Sequence, residues 1–90
     1  MFVIMAYDVN IKRAAKVLKV SRRYLSWVQN SVFEGEITPG RLKALQGELS
    51  KIINDSEDSI LFYSWHFKNY SQREYIGIRK GIIIEENGLI

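Results

Sequence analysis

One carboxylate, Asp8, stands where an unbroken apolar run from Phe2 to Tyr7 gives way to polar sequence. At the end of a buried strand an acidic side chain is held by a rigid scaffold yet stays open to solvent. Metal-ligating and catalytic oxygens are often presented in this way. A local use competes with that reading, in which Asp8 or Asn10 caps the helix that follows. The second chemical feature is a crowd of cations. Among thirteen lysines and arginines, Lys12, Arg13, Lys16, Lys19, Arg22 and Arg23 fall between positions 12 and 23, and Asp8 is the sole acidic residue in the first 33. That asymmetry is the footprint expected of a chain that meets a polyanion. His66, the single histidine, sits near a strand end and reads as a partly exposed structural residue before it reads as a base.

These groups need elements to place them. Six consecutive apolar residues, without period-two alternation, suit a strand covered on both faces in the middle of a sheet. From Ile11 to about Arg23 the period becomes helical. Ile11, Ala14, Ala15 and Leu18 follow i, i+3, i+4, i+7 and are expected against the sheet. Lys12, Lys16, Lys19 and Arg23 then line the opposite stripe, with Asn10 as N-cap. An ordinary solvated face would mix both signs in i, i+4 pairs. This stripe has no acidic member, so phosphate contact is the preferred reading, with plain solvation as its rival.

Tyr24 to Ile37 returns to strand chemistry, either a tight hairpin with Asn30-Ser31 as its turn or a single bent strand. Gly35 is expected to mark a bulge or a close backbone approach. Thr38-Pro39 is a helix start, a hydroxyl cap followed by proline at the first position. Leu42, Leu45, Leu49 and Ile52 mark the buried face of this helix, which is expected to end near Asn54-Asp55. Gly47 within it costs about 1 kcal/mol relative to alanine unless close packing needs it. Ile60 to Phe67 is a further strand. Arg73 to Arg79 is another, after a polar turn at Asn69 to Gln72. The isoleucines of the 81–90 tail suit a strand added to a sheet edge, expected to be that of a second subunit. This order predicts an α+β, ferredoxin-like βαββαβ domain over 1–80, with two helices on one face of an antiparallel sheet and an extra C-terminal strand. Such a fold hosts many functions and argues for none.

Composition narrows the classes. Ninety residues make one small domain, and 47% apolar with 26% charged residues is ordinary for a folded protein. The absence of cysteine excludes disulfides, thiolate metal sites and a cysteine nucleophile. It fits a reducing, cytoplasmic setting. An opening directly into strand-like sequence makes a signal peptide unexpected. No apolar stretch approaches the roughly 18 residues that span a bilayer.

Read together, Tyr7-Asp8-Val9, the basic helix and the segment Val28-Gln29-Asn30-Ser31-Val32-Phe33-Glu34-Gly35-Glu36-Ile37 resemble the CRISPR-associated Cas-two family, over essentially the whole chain. The resemblance implies a homodimer whose sheets face each other. It also implies a partner, the Cas-one integrase, with which such proteins capture invader DNA as new spacers. Asp8 corresponds to the family's first-strand aspartate, which in the dimer can share a Mg2+ ion with its copy. Tyr7, Arg13, Ser31 and Phe33 correspond to supporting positions. One departure is Trp27, where many relatives carry a basic residue before the Val-Gln pair.

The activity implied is metal-dependent endonuclease cleavage of RNA or duplex DNA. Magnesium prefers oxygen donors and keeps several waters, and no second acidic residue clusters with Asp8 in the sequence. Two copies of the chain are therefore required. The rival reading is an adaptor that grips a protospacer duplex by its backbone, since phosphate contacts hold a duplex without reading sequence. A third is a small regulatory or toxin-like RNA-binding protein with no integrase partner.

Overall fold

The computed structural model describes residues 1–67 and 70–79. Seven elements follow in order: β1 (Phe2–Asp8), α1 (Ile11–Ser21), β2 (Ser26–Gln29), β3 (Val32–Glu36), α2 (Pro39–Ser50), β4 (Ser59–Phe67) and β5 (Tyr70–Gly77). The strands form one antiparallel sheet ordered β2-β3-β1-β4-β5, with β1 in the middle. This is the expected ferredoxin-like α+β architecture, with β5 added outside β4. The tail expected to pair with a partner, 81–90, lies outside the described residues.

Register settles which side chains share a face. Val3 and Met5 are fully buried, as are Phe33, Ile60 and Phe62 on the neighbouring strands, and Met5 lies opposite Phe33 and Phe62. These point toward the helices, where Val17, Leu42, Leu45 and Leu49 complete the core. Each such buried aliphatic or phenyl side chain contributes about 1.5–3 kcal/mol of transfer free energy. On the other face Phe2, Ile4 and Ala6 of β1 are only half-buried. The unbroken apolar run predicts a strand covered on both sides; among the described residues only the helix-facing side is fully buried.

The buried face of α1 differs from the expected one. Ile11 is 89% exposed and Ala15 is exposed too. The inward positions are Val17 and Ser21, with Ala14 and Leu18 beside them. Ser21 fits because its hydroxyl reaches the Met5 sulfur at 3.7 Å. Helical spacing alone could not choose between neighbouring stripes, since valines and alanines occur on both. Asn10 does cap α1, its side-chain oxygen accepting from the Lys12 N–H. The helix ends at Ser21, with Arg22 to Tyr24 in a turn.

Asn30-Ser31 makes the hairpin turn, with Asn30 at φ 44°, the left-handed region that asparagine tolerates. The bulge lies in β2 between Trp27 and Gln29; at Gly35 the β1 pairing is regular. Thr38 caps α2, accepting from the Arg41 N–H with Pro39 in the first turn. The helix stops at Ser50 instead of near Asn54, and β5 starts at Tyr70 where a polar turn was expected. Cross-strand pairing with β4 overrides the turn propensity of Ser71 and Gln72.

Candidate nucleic-acid interface and the Asp8 strand end

Side-chain alternation along β1 puts Asp8 on the face away from the helices, in line with Phe2, Ile4 and Ala6. The residue is exposed and in register with Ser59 of β4. Ser31 borders the same strand end, its carbonyl accepting from the Tyr7 N–H at 3.0 Å.

Tyr7 and Phe33 belong to the opposite layer. Their rings stack at 6.3 Å, and Phe33 is fully buried in the core. Burial pushes the Tyr7 hydroxyl above its ordinary value, partly offset by the positive charge of Arg22. It therefore stays protonated at neutral pH and packs under the helices. The structure does not bring Tyr7 or Phe33 to Asp8.

Arg13, one of the six clustered cations and a supporting position by resemblance, is engaged within the chain. Its Nε donates to Asp58 Oδ2 at 2.5 Å and its second guanidinium nitrogen to Asp58 Oδ1 at 3.1 Å. A further bond reaches Glu57. The side chain is 17% exposed against 0% for Asp58. Asp58 is held well below the ordinary carboxylate range, chiefly by Arg13 and then by the Asn54 and Asn10 N–H groups, against the cost of burial. The guanidinium is pushed up correspondingly.

Lys12, Lys16, Lys19 and Arg22 remain exposed along α1 and the turn after it. Arg23 pairs with Glu48 of α2, which also accepts from the Tyr24 hydroxyl. That hydroxyl is first among the causes holding Glu48 low. Arg41 lies over the Tyr24 ring at 4.6 Å and donates to the Arg23 carbonyl. At the Trp27 departure the indole is 51% exposed and its Nε1 donates to the Asn30 carbonyl at 2.9 Å. It closes the hairpin instead of supplying a cation. His66 lines a cavity of about 230 Å³ with Met1, Leu42 and Glu74. That cavity is at the Phe2 end of the sheet, away from Asp8.

Sequence reasoning missed Asp58, which sits in the polar stretch Ser56 to Ser59 and looks solvated there. The available signal was Arg13, a cation on α1 with no acidic residue in the helix to answer it. Among the described residues no three of His, Cys, Asp and Glu come together to hold a metal. Asp8 is a hard oxygen donor of the kind magnesium prefers. Among the described residues the donor set for such an ion is not completed within one chain.

A ferredoxin-like sheet with a carboxylate at the end of its middle strand, beside a helix with a cationic outer stripe, defines a small ferredoxin-like α+β protein. Comparison with known proteins gives the family. The model of "CRISPR associated protein Cas2" matches residues 1–73. The "CRISPR-associated endoribonuclease Cas2" of Thermotoga maritima is 49% identical over 90 residues, covering 100% of this chain and 99% of that protein. The protein of the same name from Dictyoglomus turgidum is 51% identical over 80 residues, covering 89% and 92%. A solved structure described as "Crystal structure of cas2" superposes with a TM-score of 0.71 at 41% identity, covering 90% of this chain and 91% of that one. The chain belongs to the Cas2 family of CRISPR-associated proteins.

Proposed function

We propose that two copies of this chain pack sheet to sheet and act in spacer acquisition as a dimeric nucleic-acid-binding adaptor for the Cas-one integrase. The same dimer hydrolyses phosphodiester bonds at its paired Asp8 residues, with RNA or duplex DNA as substrate. The half-covered face of β1 carries this reading. Phe2, Ile4 and Ala6 there are joined by Leu61, Tyr63 and Trp65 of β4, none of them fully buried. Trp65 lies 6.1 Å from both the Phe2 and Tyr63 rings. An aromatic face this wide on a small domain is suited to burial against its own copy.

Topology also supports one particular symmetry. A twofold axis running along β1, the middle strand, brings both Asp8 ends to the same end of the dimer. It lays β3 of one copy over β4 of the other. Register places Glu34 and Glu36 on that face of β3, and Arg73 opposite Tyr63 on β5. The acidic flank of each sheet then meets the basic flank of the other. An axis across the strands would set like charges together and hold the Asp8 residues apart.

Magnesium held between two Asp8 carboxylates would lower the pKa of a bound water and offset phosphoryl charge. The chain's own contribution is to hold Asp8 at a fixed strand end and to bind phosphates along Lys12, Lys16 and Lys19. The adaptor role is favoured by the separation of these two surfaces. The stripe lies on the outer side of the helical layer, whereas Asp8 lies on the sheet face beneath it. A duplex gripped by the stripe is positioned without being delivered to the carboxylates. The endoribonuclease named for the Thermotoga and Dictyoglomus relatives supports the hydrolytic part.

A reconstituted integration reaction with a Cas-one protein and a protospacer duplex tests both parts. Asp8→Ala is expected to integrate normally while losing RNA cleavage. Lys12→Glu with Lys16→Glu is expected to lose integration. Integration that proceeds equally without this protein would favour the integrase-independent RNA-binding role instead.

A further inference from the structure

Asp58 has chemistry that its position does not otherwise explain. A carboxylate at 0% exposure is costly unless each oxygen is paired, and here each takes two bonds. Oδ1 accepts from the Asn10 N–H at 2.9 Å and from Arg13 at 3.1 Å. Oδ2 accepts from Arg13 Nε at 2.5 Å and from the Asn54 N–H at 2.8 Å. The donors come from the β1–α1 turn, from α1 and from the loop after α2. Asp58 also moors the end of β5, since its carbonyl accepts from the Ile78 N–H at 2.9 Å. Gly77 beside it has φ 84°, and a Cβ there would lie 2.1 Å from the Asp58 carbonyl oxygen. Only glycine permits that approach.

Both segments that flank Asp8 are therefore tied to one short stretch. Asp8 itself is in register with Ser59, and the turn two residues on is bonded to Asp58. Glu57 adds an outer clasp, accepting from the Asn10 side chain at 3.2 Å and from Arg13. A buried ion pair is poor evidence for stability, because an apolar replacement often serves as well. What an apolar replacement cannot supply is a directed bond to the Asn10 N–H.

We propose that Asp58, clamped by Arg13, is a positioning residue for Asp8, fixing the β1–α1 turn so that the Asp8 carboxylate meets its substrate in one orientation. This rests on the reading of Asp8 as the functional carboxylate. Arg13 thereby acts through Asp58 and not through phosphate.

The experiment uses the intact dimeric protein with a single-stranded RNA oligonucleotide and Mg2+. Arg13→Lys keeps the charge and loses the fork, while Glu57→Ala removes only the exposed clasp. Because misplacement of a catalytic group by about 1 Å costs on the order of 100-fold, Arg13→Lys is expected to lower kcat about 10- to 100-fold with KM unchanged. Glu57→Ala is expected to lower it several-fold. In both, the Asn10 amide exchanges its hydrogen faster, and neither adds to the loss caused by Asp8→Ala. A folded Arg13→Lys with wild-type kcat overturns the inference and leaves Asp8 standing. Should Arg13→Lys fail to fold, wild-type kcat and exchange in Glu57→Ala overturn it equally. Cleavage by Asp8→Ala at the wild-type rate, or none by the wild type, overturns the Asp8 reading itself and this inference with it.

Discussion

Tyr7 and Asp8 are consecutive in the chain and serve opposite faces of the sheet. Tyr7 stacks on Phe33 beneath the helices, and Asp8 stands on the exposed side at the strand's end. Their adjacency in the motif therefore reflects one strand crossing between two layers, not a shared site.

Separate phenotypes follow. Asp8→Ala is expected to abolish cleavage and leave the fold intact. Tyr7→Ala is expected to cost about 2–3 kcal/mol from lost packing, while Tyr7→Phe retains activity. Paired cleavage assays and thermal melts check both. Cleavage lost in Tyr7→Phe would bring the hydroxyl back into the chemistry.

The cationic stripe makes a second prediction. Lys12→Glu combined with Lys16→Glu is expected to weaken duplex binding and reduce the slope of log K against log salt by about 2, one phosphate contact each. Arg13→Gln is expected to leave that slope unchanged, because Asp58 and Glu57 hold its guanidinium. Titrations at several salt concentrations separate the two. An unchanged slope in the lysine pair would reduce the stripe to a solvated surface.

How far these residues could be read in advance depended on what fixed them. Element order, the Asn30 turn and the Thr38 cap were legible because each rests on local chemistry. The inward face of α1 was not, because Ile11 is apolar enough to be core and yet is 89% exposed. Asp8 was legible as a strand-end carboxylate. The diversion of Arg13 was not, since its partner Asp58 lies 45 residues away in a stretch that looks polar. Side chains whose role is set by a distant partner leave little local trace.

The proposed dimer predicts a charge-reversal pair. Arg73→Glu is expected to weaken self-association, and Glu34→Lys to do the same. The double variant is expected to recover it in part, each contact being worth about 0.2–1 kcal/mol as a rim pair. Trp65→Ala is expected to dissociate the dimer more than either. Sedimentation velocity across a concentration series reads all four proteins. No change in mass with Trp65→Ala would place the interface elsewhere.

Gly47 lies exposed in α2, and a Cβ built there has nothing within 4 Å. Packing does not require it. Gly47→Ala is therefore expected to stabilise by about 1 kcal/mol, or roughly 4–8 °C in a domain of this size. A thermal melt that moves down would mean that the glycine is needed in the assembled state.

Acid stability gives the last prediction, and its sign follows from the depressed Asp58 carboxylate. Unfolded, Asp58 titrates near its ordinary value of about 3.9; folded, it gives up its proton far more readily. As the pH falls, the unfolded chain takes up a proton that the folded chain refuses, so unfolding is favoured. The contribution is whole above about pH 5 and is lost progressively as the pH falls toward the folded value. Asp58→Asn lacks this titration. It also leaves the Arg13 guanidinium with one oxygen in place of two, so it is expected to be less stable than wild type at pH 7, by about 3 kcal/mol. Urea unfolding at pH 7, 5 and 3.5 should show the two proteins converging as acid is added. Parallel curves over that range would mean that Asp58 titrates normally in the fold, and that Arg13 does not hold it.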